Sequence, residues 1–505
     1  MNLRHPSRIS SFLKCCLRVR VFSSAQALTS PSPPPPRTRG DSLYHRISPL
    51  GDPTVSLVPV LEGWIKEGKT VKRWELEGMI KQLRKYRRFK HALEVSQWMT
   101  DRRYFELSQS TVAIRLDLIS KVHGLEHAEK YFNNIPIKLK STETYGTLLN
   151  CYVQRKFVEK AEALFQKMKD LGLVNSLSYN TLMNLYLQTE RYEKFDNVVK
   201  EMDRNSIRRD VFTFSIQMTR LVATADIDGM EAALRKMEDD PLIAPNWDVY
   251  LIVADGYKKA GLPDKALEML KRSEALVTRD QRRIAYDFLL TMYAGIGRKD
   301  EMYRLWNLQK SSSKKVSNAS YISMIVSLAK LDDIEGAEKI IAEWESVCFC
   351  YDFRVPNRLI VAYCKKGLFV KAESFINKAI QEGKTPYPST WECLATGYLE
   401  DNQIPRGVEM MKKAMSVKRH GWKPNSDNVA SCLEYFKGQG DVEGAEEFVR
   451  LLRPWVPPTR DVYHRLLRTY VIAGKSVSDV LDRMKEDGLD ADEELHEILK
   501  TGQDS

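Results

Sequence analysis

Two short segments contain residues of the types and spacing used in nucleotide chemistry. Residues 63–70 (GWIKEGKT) match the spacing of a phosphate-binding loop, in which backbone amides and a lysine hold phosphates. His127 and Glu129 match the histidine and glutamate of a zinc-dependent nucleotide deaminase. Neither segment has the context its chemistry requires: no apolar strand precedes Gly63, and no Cys-x-x-Cys follows His127. His123 shares a helix face with His127, but a third ligand is missing. We therefore predict no catalytic activity, no metal site, no cofactor and no small-molecule substrate.

The cysteines offer no alternative chemistry. Their spacing contains neither a disulfide framework nor a set of metal ligands, so the simplest interpretation is reduced, buried thiols. The eight residues are Cys15, Cys16, Cys151, Cys348, Cys350, Cys364, Cys393 and Cys432.

An aromatic residue recurs through the middle of the chain at intervals of 34 to 36 residues. This spacing is typical of an array of helical hairpins, each of which buries its apolar face only against its neighbours. We expect the recurring rings to be core residues, and function to depend on an extended surface. The series comprises Tyr145, Tyr179, Phe214, Tyr250, Tyr286 and Tyr321, with Trp391 and Tyr463 at roughly double spacing.

Glycines and helix-start residues mark the ends of the predicted elements. Turns between paired helices are expected at Gly261, Gly297, Gly367, Gly440 and Gly474. Asp52 and Pro53 predict a helix start in an N-terminal cap, residues 42–72. Alternating strand patterns are missing, which favours an all-α fold.

Length and charge fit a repeat protein with an anionic partner. The chain has 505 residues, 43% of them hydrophobic, and a net charge of +11. No apolar run approaches the roughly 20 residues that cross a bilayer, so no membrane association is expected. The basic balance weakly favours nucleic acid.

The N-terminal residues have a different composition from the rest. Residues 1–40 are rich in serine and arginine and contain no acidic residue, which is typical of an organellar transit peptide. Arginine favours the mitochondrion over the chloroplast, and the sequence after Arg20 resembles a processing site, with cleavage after Phe22. Loss of residues 1–22 lowers the net charge to about +6. Residues 23–41 contain a proline tract and are predicted to be a linker.

Residues 142–175 (TETYGTLLNCYVQRKFVEKAEALFQKMKDLGLVN) and 176–210 (SLSYNTLMNLYLQTERYEKFDNVVKEMDRNSIRRD) resemble P-class pentatricopeptide repeats of plant organelles. Both have an aromatic residue at position 4, leucine at 7 and methionine at 27. The resemblance extends over residues 73–492, before a C-terminal tail, 493–505. It implies a right-handed α-solenoid of about twelve helix-turn-helix repeats of roughly 35 residues. The repeats would start at Arg73, Gln109, Thr142, Ser176, Val211, Trp247, Arg283, Asn318, Phe353, Pro388, Ser426 and Arg460.

The resemblance also implies a partner, single-stranded organellar RNA, read one base per repeat by position 5 and the last position. Asn180 with Asp210 is a pair that favours uracil in this family, and Leu177 and Phe212 would flank the base. Ser215 with Asn246 resembles a pair that favours purines. The implied role is mitochondrial RNA processing, stability or translation.

Most other repeats depart from this pattern. Position 5 is leucine, isoleucine or alanine in several, and these side chains cannot hydrogen-bond a base edge. Position 2 is charged in others. The departures are Glu77 with Ser108, Ala113 with Ser141, Leu251 with Arg282, Ile322 with Asp352, and Ala430 with Thr459, together with Asp248, Arg354, Asp427 and Asp461 at position 2.

Two alternatives therefore stay open: a structural component of the mitochondrial ribosome, and an adaptor that binds only protein. A basic stretch would suit phosphate contacts in ribosomal RNA, although it also fits a solvated helix face. It consists of Lys81, Arg84, Lys85, Arg87 and Arg88, followed by Lys90.

Overall fold

The structure is a computed structural model that describes residues 42–101, 105–312, 315–419 and 421–501. The predicted transit peptide, 1–22, and linker, 23–41, lie outside these residues. Within them the chain forms 27 α-helices, one short 3-10 helix and no strand, which confirms the all-α class. None of these helices is long and apolar enough to cross a membrane.

The helices fall into two compact units, residues 1–260 and 261–505. The described part of the first unit contains α1 (Leu43–Ile47), α2 (Val58–Lys66), α3 (Arg73–Lys85), α4 (Phe89–Asp101), α5 (Gln109–Val122), α6 (Leu125–Asn134), the 3-10 turn (Ile137–Leu139), α7 (Thr142–Arg155), α8 (Val158–Asp170), α9 (Ser176–Gln188), α10 (Tyr192–Arg204), α11 (Val211–Ala223), α12 (Ile227–Glu238) and α13 (Trp247–Lys259).

The second unit continues the same alternation of paired helices. Its described part contains α14 (Pro263–Ala275), α15 (Arg282–Gly295), α16 (Lys299–Ser312), α17 (Asn318–Lys330), α18 (Ile334–Val347), α19 (Pro356–Lys365), α20 (Phe369–Gln381), α21 (Pro388–Glu400), α22 (Ile404–Ser416), α23 (Ser426–Gln439), α24 (Val442–Leu452), α25 (Arg460–Ile472), α26 (Ser478–Glu486) and α27 (Glu493–Thr501).

The recurring aromatic residues join each hairpin to the one before it. Tyr145 and Tyr179 each meet, edge to face, a ring on the preceding helix, Phe132 at 5.0 Å and Phe165 at 5.0 Å. Edge-to-face pairs add to the stabilisation that comes from burial. Of the eight residues in the series, seven are buried and Trp391 is half-buried. The core assignment therefore holds for every residue of the series except Trp391.

Glutamates form a second connection between neighbouring hairpins. Glu162 in α8 accepts a hydrogen bond from Tyr186 in α9 at 2.8 Å and pairs with Lys194 in α10 at 2.6 Å. One carboxylate thus contacts both helices of the next hairpin, and we call this arrangement a glutamate bridge. Equivalent bridges join Glu338 to Tyr363 and Lys371, and Glu446 to Tyr470 and Arg483.

The predicted turn glycines are confirmed. All five lie between paired helices and have positive φ, from 61° to 75°, a backbone conformation that glycine adopts without strain.

The N-terminal segment begins its main helix later than the sequence predicts. The Asp52 carboxylate accepts the Thr54 amide at 2.8 Å and closes a turn, and α2 starts only at Val58. Glu94 on α4 holds this start in place, because it accepts the Leu57 amide at 3.0 Å. Pro59 in the first turn of α2 also favours this start, so a local signal and a contact across 37 residues coincide at the boundary.

Arg88, immediately before α4, binds the same N-terminal segment through several hydrogen bonds, an arrangement that we call the Arg88 clamp. Its guanidinium donates to the carbonyls of Ile47, Ser48 and Leu50, and its Nε approaches Nδ1 of His91 at 3.1 Å. Nε2 of His91, in turn, lies 3.0 Å from the carbonyl of Val55. The clamp fixes a stretch of chain with little regular structure.

The segment predicted as a C-terminal tail begins with a packed helix. Leu495 and Ile498 of α27 are 4% and 3% exposed, and Asp492 caps the helix through the Leu495 amide at 2.9 Å. Its acidic first turn approaches His464 of α25, whose Nδ1 lies 3.1 Å from Glu494.

Burial makes most of the described cysteines unreactive. It raises the pKa of Cys151 and Cys393 to about 11 and of Cys364 and Cys432 to about 12, because a buried thiolate is poorly solvated. Cys350, by contrast, is exposed.

Brief alkylation of the native chain at neutral pH should therefore modify Cys350 and leave the four thiols of raised pKa largely unmodified, above all the buried Cys151 and Cys432. Peptide mass spectrometry measures each site separately. Modification of Cys151 and Cys432 at the rate seen in denaturant would contradict this packing.

Candidate nucleic-acid interface

The structure brings Asn180 and Asp210 together. Asn180 lies on α9, and Asp210 is the N-cap of α11. Asn180 Nδ2 donates to Asp210 Oδ1 at 3.0 Å. Thr213 completes the cluster, since its hydroxyl donates to Asn180 Oδ1 at 2.9 Å and its amide to Asp210 Oδ1 at 2.8 Å. An asparagine amide carries two N–H groups, so one donor remains beyond this network.

Apolar residues flank this cluster. Leu177 and Phe212 are the second residues of α9 and α11, and both are half-buried. Leu177 lies three residues before Asn180, and Phe212 lies two residues after Asp210. The helices α9 and α11 are the first helices of neighbouring repeats. The position of these four residues is compatible with an edge-reading pair between two apolar contacts.

Ser215 and Asn246 do not form an equivalent pair. The Ser215 hydroxyl donates to the Val211 carbonyl at 2.8 Å, within its own helix, and the residue is only 6% exposed. Asn246 Oδ1 is buried without a hydrogen-bond partner, and no hydrogen bond joins the two side chains among the described residues. A ligand would have to reach each of them separately.

The last residue of a repeat can also cap the following helix, a role that the sequence analysis missed. Asn175 Oδ1 accepts the Ser178 amide at 3.0 Å, and Ser108 and Ser317 accept the corresponding amides at 3.2 Å. These side chains are N-caps of α9, α5 and α17. A polar residue just before a helix start is the signal that could have revealed this role.

Asp352, the last residue of the predicted repeat that begins at Asn318, is already hydrogen-bonded to other side chains of this chain. Arg354 donates to it through Nη2 at 2.6 Å, and Asn318 donates at 3.1 Å. Burial raises the pKa of Asp352, but these hydrogen bonds outweigh it and leave the pKa below its usual value. The charged position 2, Arg354, thus neutralises its own neighbour, and the repeat offers no open reading pair.

Asp287, at position 5 of the repeat that begins with α15, is disfavoured as a carboxylate. Burial raises its pKa above the usual value, despite hydrogen bonds from Ser320 and Gln309 that oppose the shift. Its Oδ1 lies 3.5 Å from Gln309 Nε2, a long contact. The Asp287 side chain is thus also engaged by other side chains of this chain.

The basic stretch divides into structural and exposed residues. Arg84 pairs with the buried Asp117 at 3.1 Å, and Arg88 forms the clamp described above. Lys81, Lys85 and Arg87 are exposed. Phosphate contacts by this stretch would depend on the exposed three.

The nucleotide motifs have no matching geometry. Residues 63–66 lie within α2, and no strand precedes them in the described residues. His123 and His127 have ring centroids 5.8 Å apart, and Glu129 pairs with Lys160 at 2.7 Å. No group of three or more metal-ligating side chains occurs in the part of the chain that the structure describes.

Comparison with family models identifies the repeats. A model described as the PPR repeat family matches residues 174–222, and one described as PPR repeat matches 143–173, 248–275 and 355–383. These segments begin within two residues of α9, α7, α13 and α19, so the sequence match and the helical hairpins share one register.

Full-length relatives are found in Arabidopsis thaliana. A mitochondrial pentatricopeptide repeat-containing protein is 43% identical over 86% of this chain and 88% of its own length. The large ribosomal subunit protein mL101 is 35% identical over 91% of this chain and 94% of its own. The solved structure of the pentatricopeptide repeat protein PPR10 with an 18-nt psaJ RNA element is 16% identical, with a TM-score of 0.34, over 90% of this chain and 70% of that one. That last likeness is too low to carry a conclusion.

Proposed function

This chain belongs to the pentatricopeptide repeat family, and from that premise we propose that it binds single-stranded RNA in mitochondria without catalysing a reaction. Its role would be in RNA processing, stability or translation. The single observation that supports this proposal most is the hydrogen-bonded pair of Asn180 and Asp210, 3.0 Å apart. Relatives between 34% and 43% identical to this chain are named as mitochondrial.

The proposed contact is short. Asn180 and Asp210 would read one base, favouring uracil, between Leu177 and Phe212. The neighbouring Ser215 and Asn246 would contact a second base, with a preference for purines, through the unpartnered Asn246 Oδ1. Lys81, Lys85 and Arg87 would add contacts to phosphates.

Asp210→Ser should remove the uracil preference while the fold is retained. Serine is as good an N-cap as aspartate, so stability should change by less than about 0.5 kcal/mol. Loss of a charge-assisted hydrogen bond to the base should weaken binding of the preferred RNA by about 10- to 100-fold. Selection of bound sequences from a random RNA pool, followed by fluorescence anisotropy, measures both effects.

Asp226→Ser is the matched control, because Asp226 caps α12 through the Gly229 amide at 2.9 Å and lies outside the proposed contact. It should leave RNA binding unchanged. The proposal fails if the purified chain binds no RNA.

A structural role in the mitochondrial ribosome is the second candidate. The similarity to mL101 extends over nearly the full length of both chains. At some reading positions, such as Asp352, the side chain is already hydrogen-bonded to other residues of this chain. Such positions favour recognition of RNA by shape and charge over recognition by sequence. Co-sedimentation of the tagged chain with the large subunit at moderate salt would support this candidate over free RNA binding. A protein-only adaptor would show neither property.

A further inference from the structure

The loop between α22 and α23 is longer than most of its counterparts. It consists of residues 417–425, nine in number, whereas the loop between α8 and α9 has only the five residues 171–175. The sequence of the loop, VKRHGWKPN, contains no acidic residue. An insertion of this composition adds positive charge at one edge of the second unit.

Two tryptophans anchor the loop to the hairpins on both sides. Trp422 Nε1 donates to Glu392 Oε2 at 3.1 Å, and the Asn425 amide donates to Glu392 Oε1 at 2.7 Å. The Trp422 ring meets Trp455 edge to face at 4.9 Å, and Trp455 Nε1 donates to the Met415 carbonyl at 2.8 Å. These contacts anchor the loop at Trp422 and Asn425, and Glu392, at position 5 of its repeat, is no longer open to a base.

The cations of the loop face solvent. Lys418, Arg419 and Lys423 are all exposed. The Arg419 guanidinium carbon lies 3.3 Å above the Tyr387 ring, which holds the side chain at the surface by a cation–π contact. Neither lysine has an ion pair within the described residues, unlike the many paired lysines of the glutamate bridges.

We propose that this basic loop, through its residues 417–419 and 421–425 together with Tyr387, is a second RNA contact that binds the phosphodiester backbone outside the base-reading positions. The inference rests on the proposed function. The three cations would neutralise phosphates, and the N–H groups of Arg419 would donate to phosphate oxygens. The half-buried ring of Trp422 would offer a stacking face to an unpaired base.

RNA fits this surface better than an acidic protein does. Cations and aromatic rings alternate along the loop, and the stacked guanidinium presents a planar face, which matches a strand of phosphates and bases. Because Arg419 and Trp422 are held by contacts within the chain, these two side chains lose little ordering entropy when RNA is bound.

The test compares two triple variants of the full chain with equal loss of charge. The first carries K418A, R419A and K423A. The control carries K167A, K200A and K236A, which remove exposed lysines on α8, α10 and α12. Poly(U) RNA is the probe, its affinity is measured over a range of salt concentrations, and thermal melting confirms that each variant is folded.

The loop variant should bind poly(U) about 10- to 100-fold more weakly, and the slope of log K against log salt should fall by about 2, roughly 0.7 for each phosphate contact. The control should match the wild type. Ultraviolet crosslinking should attach uridine to peptides that contain Trp422.

The remaining outcomes separate the loop from the proposed function. A wild-type chain that binds no RNA overturns both. If the wild type binds poly(U) and the loop variant keeps its affinity and salt slope, the loop proposal is wrong and the function stands. Displacement of poly(U) by polyglutamate at lower concentration than by unlabelled poly(U) would indicate an acidic protein partner and would also overturn the loop proposal.

Discussion

Replacement of Arg88 by alanine should release the N-terminal segment, residues 43–66, from the first unit. The guanidinium donates to three backbone carbonyls in residues 47–50. Hydrogen bonds from a charged group contribute more than neutral ones, so the cost of opening this segment should fall by about 3 kcal/mol. Hydrogen exchange of the amides in α1 and α2 should then become about 100-fold faster, because exchange reports local opening.

Lys90→Ala provides the control, since Lys90 lies two residues after Arg88, on α4, and is exposed. Its exchange pattern should match the wild type throughout. The clamp would be unimportant if Arg88→Ala left protection at Leu61, which is fully buried, unchanged.

Replacement of Gly397 by alanine should destabilise the second unit. A Cβ atom at this position would lie 2.5 Å from Cys364 Cβ and 2.7 Å from its Sγ, so α21 and α19 could not keep their present separation. Overpacking of this kind costs about 1–3 kcal/mol, which chemical denaturation measures as a lower free energy of unfolding.

Gly438→Ala should have the opposite sign. Gly438 lies on α23 with open space around the position of a Cβ, so alanine should stabilise the helix by about 0.5–1 kcal/mol. Cys364→Gly should recover much of the loss in Gly397→Ala, because it removes both clashing atoms. Equal effects of the two glycine replacements would show that close packing at Gly397 is not the cause.

The sequence predicted the start of most first helices correctly. Ten of the twelve predicted starts coincide with helix starts in the structure, among them Thr142, Ser176 and Val211. At these positions local signals agree, because a capping residue precedes an apolar pattern with helical spacing. The recurring aromatic then sets the register of the packing.

The misses have non-local causes. Phe353 was expected to start a helix, but it is 1% exposed in a ring cluster with Tyr351 and Tyr387, and the helix begins at Pro356. The predicted start at Arg283 is displaced by one residue, to Arg282. Contacts made by residues far along the chain cannot be read from local patterns.

Site prediction succeeded and failed for a similar reason. The register alone placed Asn180 opposite Asp210, because residues one repeat apart lie side by side in stacked hairpins. The register could not show that Trp422 donates a hydrogen bond to Glu392, since this contact arises from an insertion with its own conformation. Occupied reading positions become visible only when hydrogen-bond partners are known.

The glutamate bridges have a consequence for how such a chain changes length. Each bridge joins one hairpin to the next through a carboxylate, a tyrosine hydroxyl and a basic side chain, as Glu162 and Glu338 do at distant points in the chain. Removal or duplication of one whole hairpin between two such bridges therefore recreates an equivalent junction, with a carboxylate again facing a phenol and a cation. The number of repeats becomes a quantity that evolution, or an engineer, can change without designing a new interface.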